Sequence, residues 1–143
     1  MIAASARADM SDPRRSVPEG RARTRILVVE DDDDVRSAVC ESLDAEGYEV
    51  IAAANGVQAL ERLRSGAPPR LIVLDLMMPM MNGWQFRTAQ RADPAFAGIP
   101  VIVMSAVGGD HVEAVQPLAA VAFLRKPFDL DTLLETVRRN VGV

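Results

Sequence analysis

Four short apolar runs punctuate the chain, at Ile26–Val29, Leu71–Leu74, Val101–Met104 and Val121–Leu124, with a weaker fifth at Tyr48–Ala53. Each is apolar at consecutive positions and rich in Val and Ile, the pattern of strands covered on both faces of a parallel sheet. Between the runs the spacing becomes helical. Val35, Val39 and Leu43 recur at four-residue steps, followed by Gly47 as a stop signal. Val57, Leu60 and Leu63 stripe a second helix, opened by Asn55 and closed by Gly66 and Pro68-Pro69. Trp84 to Arg91 predicts a third, capped by Asn82, and Asp110 to Gln116 a short fourth that Pro117 stops. The last helix starts at Asp129 or Asp131 and runs through Leu133, Leu134 and Val137. Strand–helix alternation repeated five times predicts an α/β fold, a doubly wound parallel sheet with right-handed crossovers and helices on both faces. Two strand orders are common for such sheets, and periodicity does not choose between them. In either, ligands bind beyond the carboxyl ends of the strands.

Composition bounds the reading. The 143 residues suffice for one domain, and 49% hydrophobic with 25% charged residues is an ordinary globular balance. A formal net charge of −4 argues against nucleic acid as the main partner. No apolar run approaches the roughly 20 residues of a membrane span, and Ile2-Ala3-Ala4 is too short for a secretory core. Six of the sixteen basic residues fall between Met1 and Arg25, interleaved with Pro13, Pro18 and Gly20. Residues 1–24 are therefore expected to be a disordered basic tail and residues 25–143 the domain, with Met10 a candidate alternative start. Cys40 is the single cysteine, lies in a helical pattern and reads as a small buried apolar residue. With no internal disulfide available, a cytoplasmic setting is expected.

The chemistry gathers at the predicted strand ends. The first strand runs into Glu30-Asp31-Asp32-Asp33-Asp34, the third ends in Asp75, the fourth in Ser105 and the fifth in Arg125-Lys126. If these ends converge, several carboxylates share a pocket with a hydroxyl and an ammonium. Carboxylates so close repel unless a cation neutralises them, and Mg²⁺, a hard ion that prefers oxygen ligands, answers that need. Asp32, Asp33 and Asp34 are explained by the start of a helix, where acidic side chains cap N–H groups and meet the dipole. Glu30 and Asp31, directly at the strand terminus, are candidate metal ligands. Asp75 follows four aliphatic residues and precedes Leu76-Met77-Met78, so no solvated face accounts for it. Lys126 is the only lysine among the sixteen cationic residues, a compact charge where an arginine fork would not fit. Lys126-Pro127 also permits a cis peptide.

These segments, ILVVEDDDDVR at Ile26–Arg36, LIVLDLMMPMMNG at Leu71–Gly83, VIVMSA at Val101–Ala106 and FLRKPF at Phe123–Phe128, resemble in order and interval the receiver (CheY-like) domain of bacterial response regulators. The resemblance covers about Arg25 to Val143. It implies a flavodoxin-like five-stranded parallel sheet of order 2-1-3-4-5. It implies that Asp75 is the phosphoacceptor, that Glu30, Asp31, Asp75 and the Met77 backbone carbonyl hold Mg²⁺, and that Lys126 contacts the phosphoryl group. Ser105 resembles the switch hydroxyl and Phe123 the aromatic switch residue, while Pro79 and Gly83 match the turn after the acceptor strand. Phe123 lacks a tyrosine hydroxyl, Ser105 stands for the commoner threonine, and Val107–Val121 is the poorest match, lacking the glycine often found before the fifth strand.

The function so implied is phosphorelay signalling. A sensor histidine kinase or phosphotransfer protein donates the phosphoryl group. A downstream protein reads the face made by the fourth helix, fifth strand and fifth helix; neither nucleic acid nor membrane is expected as a partner. No output domain fits after the last helix, so a stand-alone regulator that is not itself an enzyme is expected. The alternative is a non-phosphorylated pseudo-receiver, a pure binding module. A dehalogenase-like phosphatase would place its nucleophile in Asp-x-Asp after the first strand, and a dinucleotide-binding enzyme would show G-x-G-x-x-G there. Neither pattern is present. His111 reads as an exposed loop residue and Trp84 as a partly packed helix residue.

Overall fold

The computed structural model describes residues 23–106 and 116–141. Residues 1–22, His111 and all of the predicted fourth helix except Gln116 lie outside that set. The sheet is formed by β1 (Arg25–Val29), β2 (Glu49–Ala53), β3 (Leu71–Asp75), β4 (Val101–Ser105) and β5 (Ala122–Arg125), all parallel, in the order β2-β1-β3-β4-β5. The helices are α1 (Asp33–Ala45), α2 (Gly56–Arg64), α3 (Gly83–Ala92) and α4 (Leu130–Asn140), the last being the fifth helix expected from sequence. None of these is long and apolar enough to cross a membrane.

Successive residues of a strand face opposite sides, so a strand covered on both must be apolar throughout. Ile26, Val28, Leu71, Val73, Ile102 and Met104 pack with Val39 and Leu43 of α1 and Leu133 and Val137 of α4. Their neighbours Leu27, Val29, Ile72, Leu74 and Val103 pack on the other side with Ala59, Leu60 and Leu63 of α2 and Phe86 of α3. Each of the Val, Leu, Ile, Met and Phe side chains among them contributes about 1.5–3 kcal/mol by leaving water. Cys40, expected buried, is half-buried at the margin of the first cluster, where desolvation raises its thiol pKa.

The ends of the helices follow local chemistry. Asp32, Asn55 and Asn82 cap α1, α2 and α3, each accepting from a backbone N–H in the first turn, and Asn82 forms a reciprocal capping box with Gln85. Gly47 ends the turn after α1 at φ 97°, a left-handed conformation glycine adopts without steric cost. Arg23 and Thr24, assigned above to the tail, are tied to the chain before β2: the Arg23 guanidinium donates to the carbonyls of Gly47 and Tyr48, and the Glu49 N–H donates to Thr24 O.

One expectation is corrected. The run Val121–Leu124 reads as covered on both faces, yet β5 is an edge strand in which only Leu124 is buried, and Phe123 remains 38% exposed. Consecutive apolar residues do not report whether a strand has a second neighbour. Before β5 the chain makes a 3₁₀ turn, Gln116–Leu118, and Ala119 then adopts φ 52°, an unusual left-handed conformation for a residue with a Cβ.

Candidate functional site

The register carries the chemistry to one end of the sheet. Val29 pairs with Leu74, Asp75 with Met104 and Ser105 with Arg125, so the residues just beyond β1 and β5 flank Asp75 and Ser105. Two ladder bonds extend past the strands and fix those residues, from Glu30 N–H to Ala53 O and from Lys126 N–H to Ser105 O, at 3.0 and 2.9 Å. Gly83 brings α3 against the end of β3, its N–H donating to Leu76 O; a Cβ there would lie 2.7 Å from Leu76 Cα and 2.8 Å from Asp75 O. Only a glycine allows that approach.

Carboxylate oxygens of Glu30, Asp31 and Asp75 lie within 4.8 Å of one another. Glu30 and Asp75 are buried, at 0% and 2% exposure, while Asp31 opens to solvent. The Lys126 ammonium reaches both buried carboxylates, Nζ standing 2.7 Å from Glu30 Oε1 and 3.5 Å from Asp75 Oδ1. Glu30 Oε2 accepts the Asp32 N–H at 3.0 Å, and Asp75 Oδ1 accepts the Met77 N–H at 3.3 Å. The Lys126–Pro127 peptide is cis.

Burial, and after it the charge of Glu30, pushes the Asp75 carboxyl up to about 7, and the Asp31 side chain adds to this; Lys126 and the Met77 N–H oppose it and do not prevail. Burial pulls the Lys126 ammonium down, but its hydrogen bond to Glu30 and the charges of Asp75 and Glu30 outweigh that, and the net shift is upward. Three carboxylates thus face one ammonium. All three offer hard oxygen donors and carry more negative charge than Lys126 neutralises, a donor set fitted to a small divalent cation such as Mg²⁺.

The remaining expected residues stand further out. Ser105 is buried at the end of β4, next to the Asp75 strand. Met77, whose carbonyl is the expected fourth ligand, has an exposed side chain and a backbone N–H engaged with Asp75. Phe123 pairs with Val103, two residues before Ser105, and borders a surface cavity of about 290 Å³ walled by Val103, Leu118, Ala119, Ala120 and Ala122. Trp84 is partly packed, as expected.

The sequence reading passed over Arg87 and Gln90. Both are buried on α3 and hydrogen-bonded to each other, and Arg87 also donates to Leu118 O and Ala119 O. The signal was available: Gly83, Phe86, Arg87 and Gln90 share one face of a 3.6-residue helix, so two polar residues stand on the stripe that meets the core.

The family model for the response regulator receiver domain matches residues 26–138. The response regulator Rre1 of Synechocystis is 38% identical over 119 residues, 81% of this chain, and the chain spans about half (50%) of that protein. Sporulation initiation phosphotransferase F of Bacillus subtilis is 34% identical over 80% of this chain and 91% of its own length. The chemotaxis response regulator CheY4 of Vibrio cholerae superposes with a TM-score of 0.77 at 30% identity, covering 85% of this chain and 100% of that one. The parallel 2-1-3-4-5 sheet with an acidic cluster at its carboxyl edge has the same meaning as these likenesses: the chain belongs to the response regulator receiver domain family of two-component signalling.

Proposed function

We propose that Asp75 accepts a phosphoryl group from a phosphohistidine on a sensor histidine kinase or phosphotransfer protein, and that Ser105 and Phe123 convert this into a change of a protein-binding face. The observation that carries the reading is the placement of Asp75: buried, pushed up to about 7, and 3.5 Å from the only lysine in the chain.

A carboxylate oxygen of Asp75 attacks phosphorus as the phosphorus–nitrogen bond breaks; the imidazole leaves with the bonding pair and takes a proton from solvent, and an acyl phosphate remains. Glu30, Asp31, Asp75 and the Met77 carbonyl would hold Mg²⁺, which when bound supplies positive charge to the transferring group. Lys126 lies close enough to follow that charge from carboxylate to phosphoryl oxygen. The Met77 N–H orients the attacking carboxylate. Ser105 offers a hydroxyl donor to a phosphoryl oxygen, and Phe123 has a cavity beside it into which its ring can turn. The face so altered comprises the predicted fourth helix, β5 and α4. An apolar recess of about 480 Å³, between α1 and Pro127–Leu130, opens beside Lys126 and suits the approach of a phosphodonor helix.

Incubation with acetyl phosphate and Mg²⁺, read by intact mass, tests the reading. One phosphoryl adduct is expected on the wild type, and none on Asp75→Asn or in EDTA. An unmodified wild type, or an equal adduct on Asp75→Asn, refutes it and favours the pseudo-receiver alternative.

A further inference from the structure

We propose that Arg87 is a positioning residue for the switch, a latch from α3 that holds the segment before β5 in the conformation leaving room for Phe123; this rests on the reading of Phe123 as the switch residue. Three successive carbonyls of that segment accept from α3 guanidinium groups. Pro117 O accepts from Arg91 Nη1 at 3.0 Å, Leu118 O from Arg87 Nε at 2.8 Å and Ala119 O from Arg87 Nη2 at 3.2 Å. Arg87 is 7% exposed, and its remaining nitrogen donates to Gln90 Oε1 at 2.8 Å. Gln90 in turn donates to Phe96 O and Ile99 O, which anchors the guanidinium to the loop before β4. Charge-assisted bonds of this kind are short and directional.

What the latch holds is strained. Ala119 sits at φ 52°, where its Cβ crowds the following carbonyl, and the conformation persists only if its surroundings impose it. Leu118, Ala119 and Ala120 also form one wall of the 290 Å³ cavity that Phe123 borders. A cavity of about 150 Å³ accepts benzene, so this one has room for the ring. With the guanidinium removed, Ala119 relaxes to an ordinary conformation, the wall moves into the space, and Phe123 is left outside. Arg87 makes none of the contacts to Asp75, Glu30 or Lys126 described above, so phosphoryl uptake itself is spared.

The test uses the 143-residue chain labelled with fluorophenylalanine, its Phe123 ¹⁹F resonance assigned with Phe123→Leu. Acetyl phosphate and Mg²⁺ are added, with intact mass giving the phosphorylated fraction in parallel. The wild-type Phe123 resonance shifts with phosphorylation. In Arg87→Met the phosphorylated fraction stays within about twofold, and the shifted population falls about tenfold, the ratio set by one left-handed L-residue. The double variant Arg87→Met/Ala119→Gly recovers the shift to within about twofold, because glycine adopts this conformation without a latch. Arg87→Lys, which keeps the charge but cannot bridge two carbonyls, falls between and serves if the Met variant does not fold. An unchanged shift in Arg87→Met, or no recovery in the double variant, overturns the latch. A wild type that is phosphorylated without any Phe123 shift overturns the switch reading and the latch with it, and a wild type without adduct overturns the assignment of Asp75.

Discussion

Removing a charge from the buried end of the sheet should stabilise this protein. In Asp75→Asn the carboxylate is replaced by a neutral group of the same shape. Asp75 is pushed from 3.8 to about 7 in the fold, first by burial and then by Glu30. A group whose folded pKa is raised stabilises in its protonated form, so its contribution is complete below about pH 4, shrinks between pH 4 and 7, and is gone above. Three pKa units at 1.36 kcal/mol each give a ceiling of about 4 kcal/mol lost by the metal-free wild type across that window. The Lys126 contact is already counted in that net shift, and solvent screening through the open Asp31 side keeps the recovery by asparagine below the ceiling. About 2 kcal/mol is expected at pH 8, a rise in Tm of about 6–8 °C for a domain of this size.

The assay is urea or thermal unfolding in EDTA at pH 4.5 and pH 8. The Asn variant should exceed the wild type by that margin at pH 8 and converge with it at pH 4.5. Mg²⁺ should stabilise the wild type strongly and the variant weakly, since binding to the folded state alone adds RT ln(1 + [Mg²⁺]/Kd). A variant less stable than the wild type at pH 8 would mean that the Lys126 ion pair outweighs desolvation and Glu30 repulsion, and would refute the electrostatic account of the site. A difference of the same size at both pH values would show that Asp75 does not titrate in this window.

Lys126→Met leaves Glu30 buried beside Asp75 without its ammonium, and should cost about 2–3 kcal/mol in EDTA and reduce the acetyl phosphate adduct at least tenfold, checked by urea melts and intact mass. Gly83→Ala puts a Cβ against Leu76 Cα and Asp75 O, and should cost about 1–3 kcal/mol while slowing adduct formation, because relief requires the end of β3 to move. Phe123→Leu, on an exposed edge position, should change stability by less than about 1 kcal/mol and leave the adduct intact, so a large loss of either would assign the ring a different role.

The central sheet was legible because β1, β3 and β4 are covered on both faces and each residue must be apolar. The edges were not. β2 and β5 carry similar apolar strings, and their half-exposed state follows from strand order, which periodicity does not encode. The acidic site was legible as a set of strand-terminal residues, but its closure depends on register: the pairing of Asp75 with Met104 and of Ser105 with Arg125 brings Lys126 near Asp75, and no local pattern states those pairings. Arg87 was missed for a different reason. A cation on a helix reads as solvated unless its exact phase is followed, and Arg87 lies on the buried stripe because main-chain carbonyls from a distant turn meet it there.

The arrangement explains why so much apolar surface supports so small a site. Glu30, Asp31 and Asp75 repel, and two of them are desolvated, so this end of the sheet opposes folding, and a divalent cation of the proposed kind would relieve that repulsion. Local repulsion of that kind is tolerable only where strands are held from both sides, and β1 and β3, which deliver Glu30 and Asp75, are two of the three interior strands, with every residue from Ile26 to Val29 and from Leu71 to Leu74 fully buried. The reverse holds at β5. It joins the sheet by one edge, carries Lys126 at its end and Phe123 in its middle, and is fed by a turn whose conformation depends on α3. The interior strands therefore hold the buried acidic groups, while β5, one of the two edge strands, carries the aromatic ring and leads into the lysine 3.5 Å from Asp75. On the proposed reading, chemistry at one end of the sheet can shift β5 without unfolding the core, because β5 is a four-residue edge strand in which only Leu124 is buried.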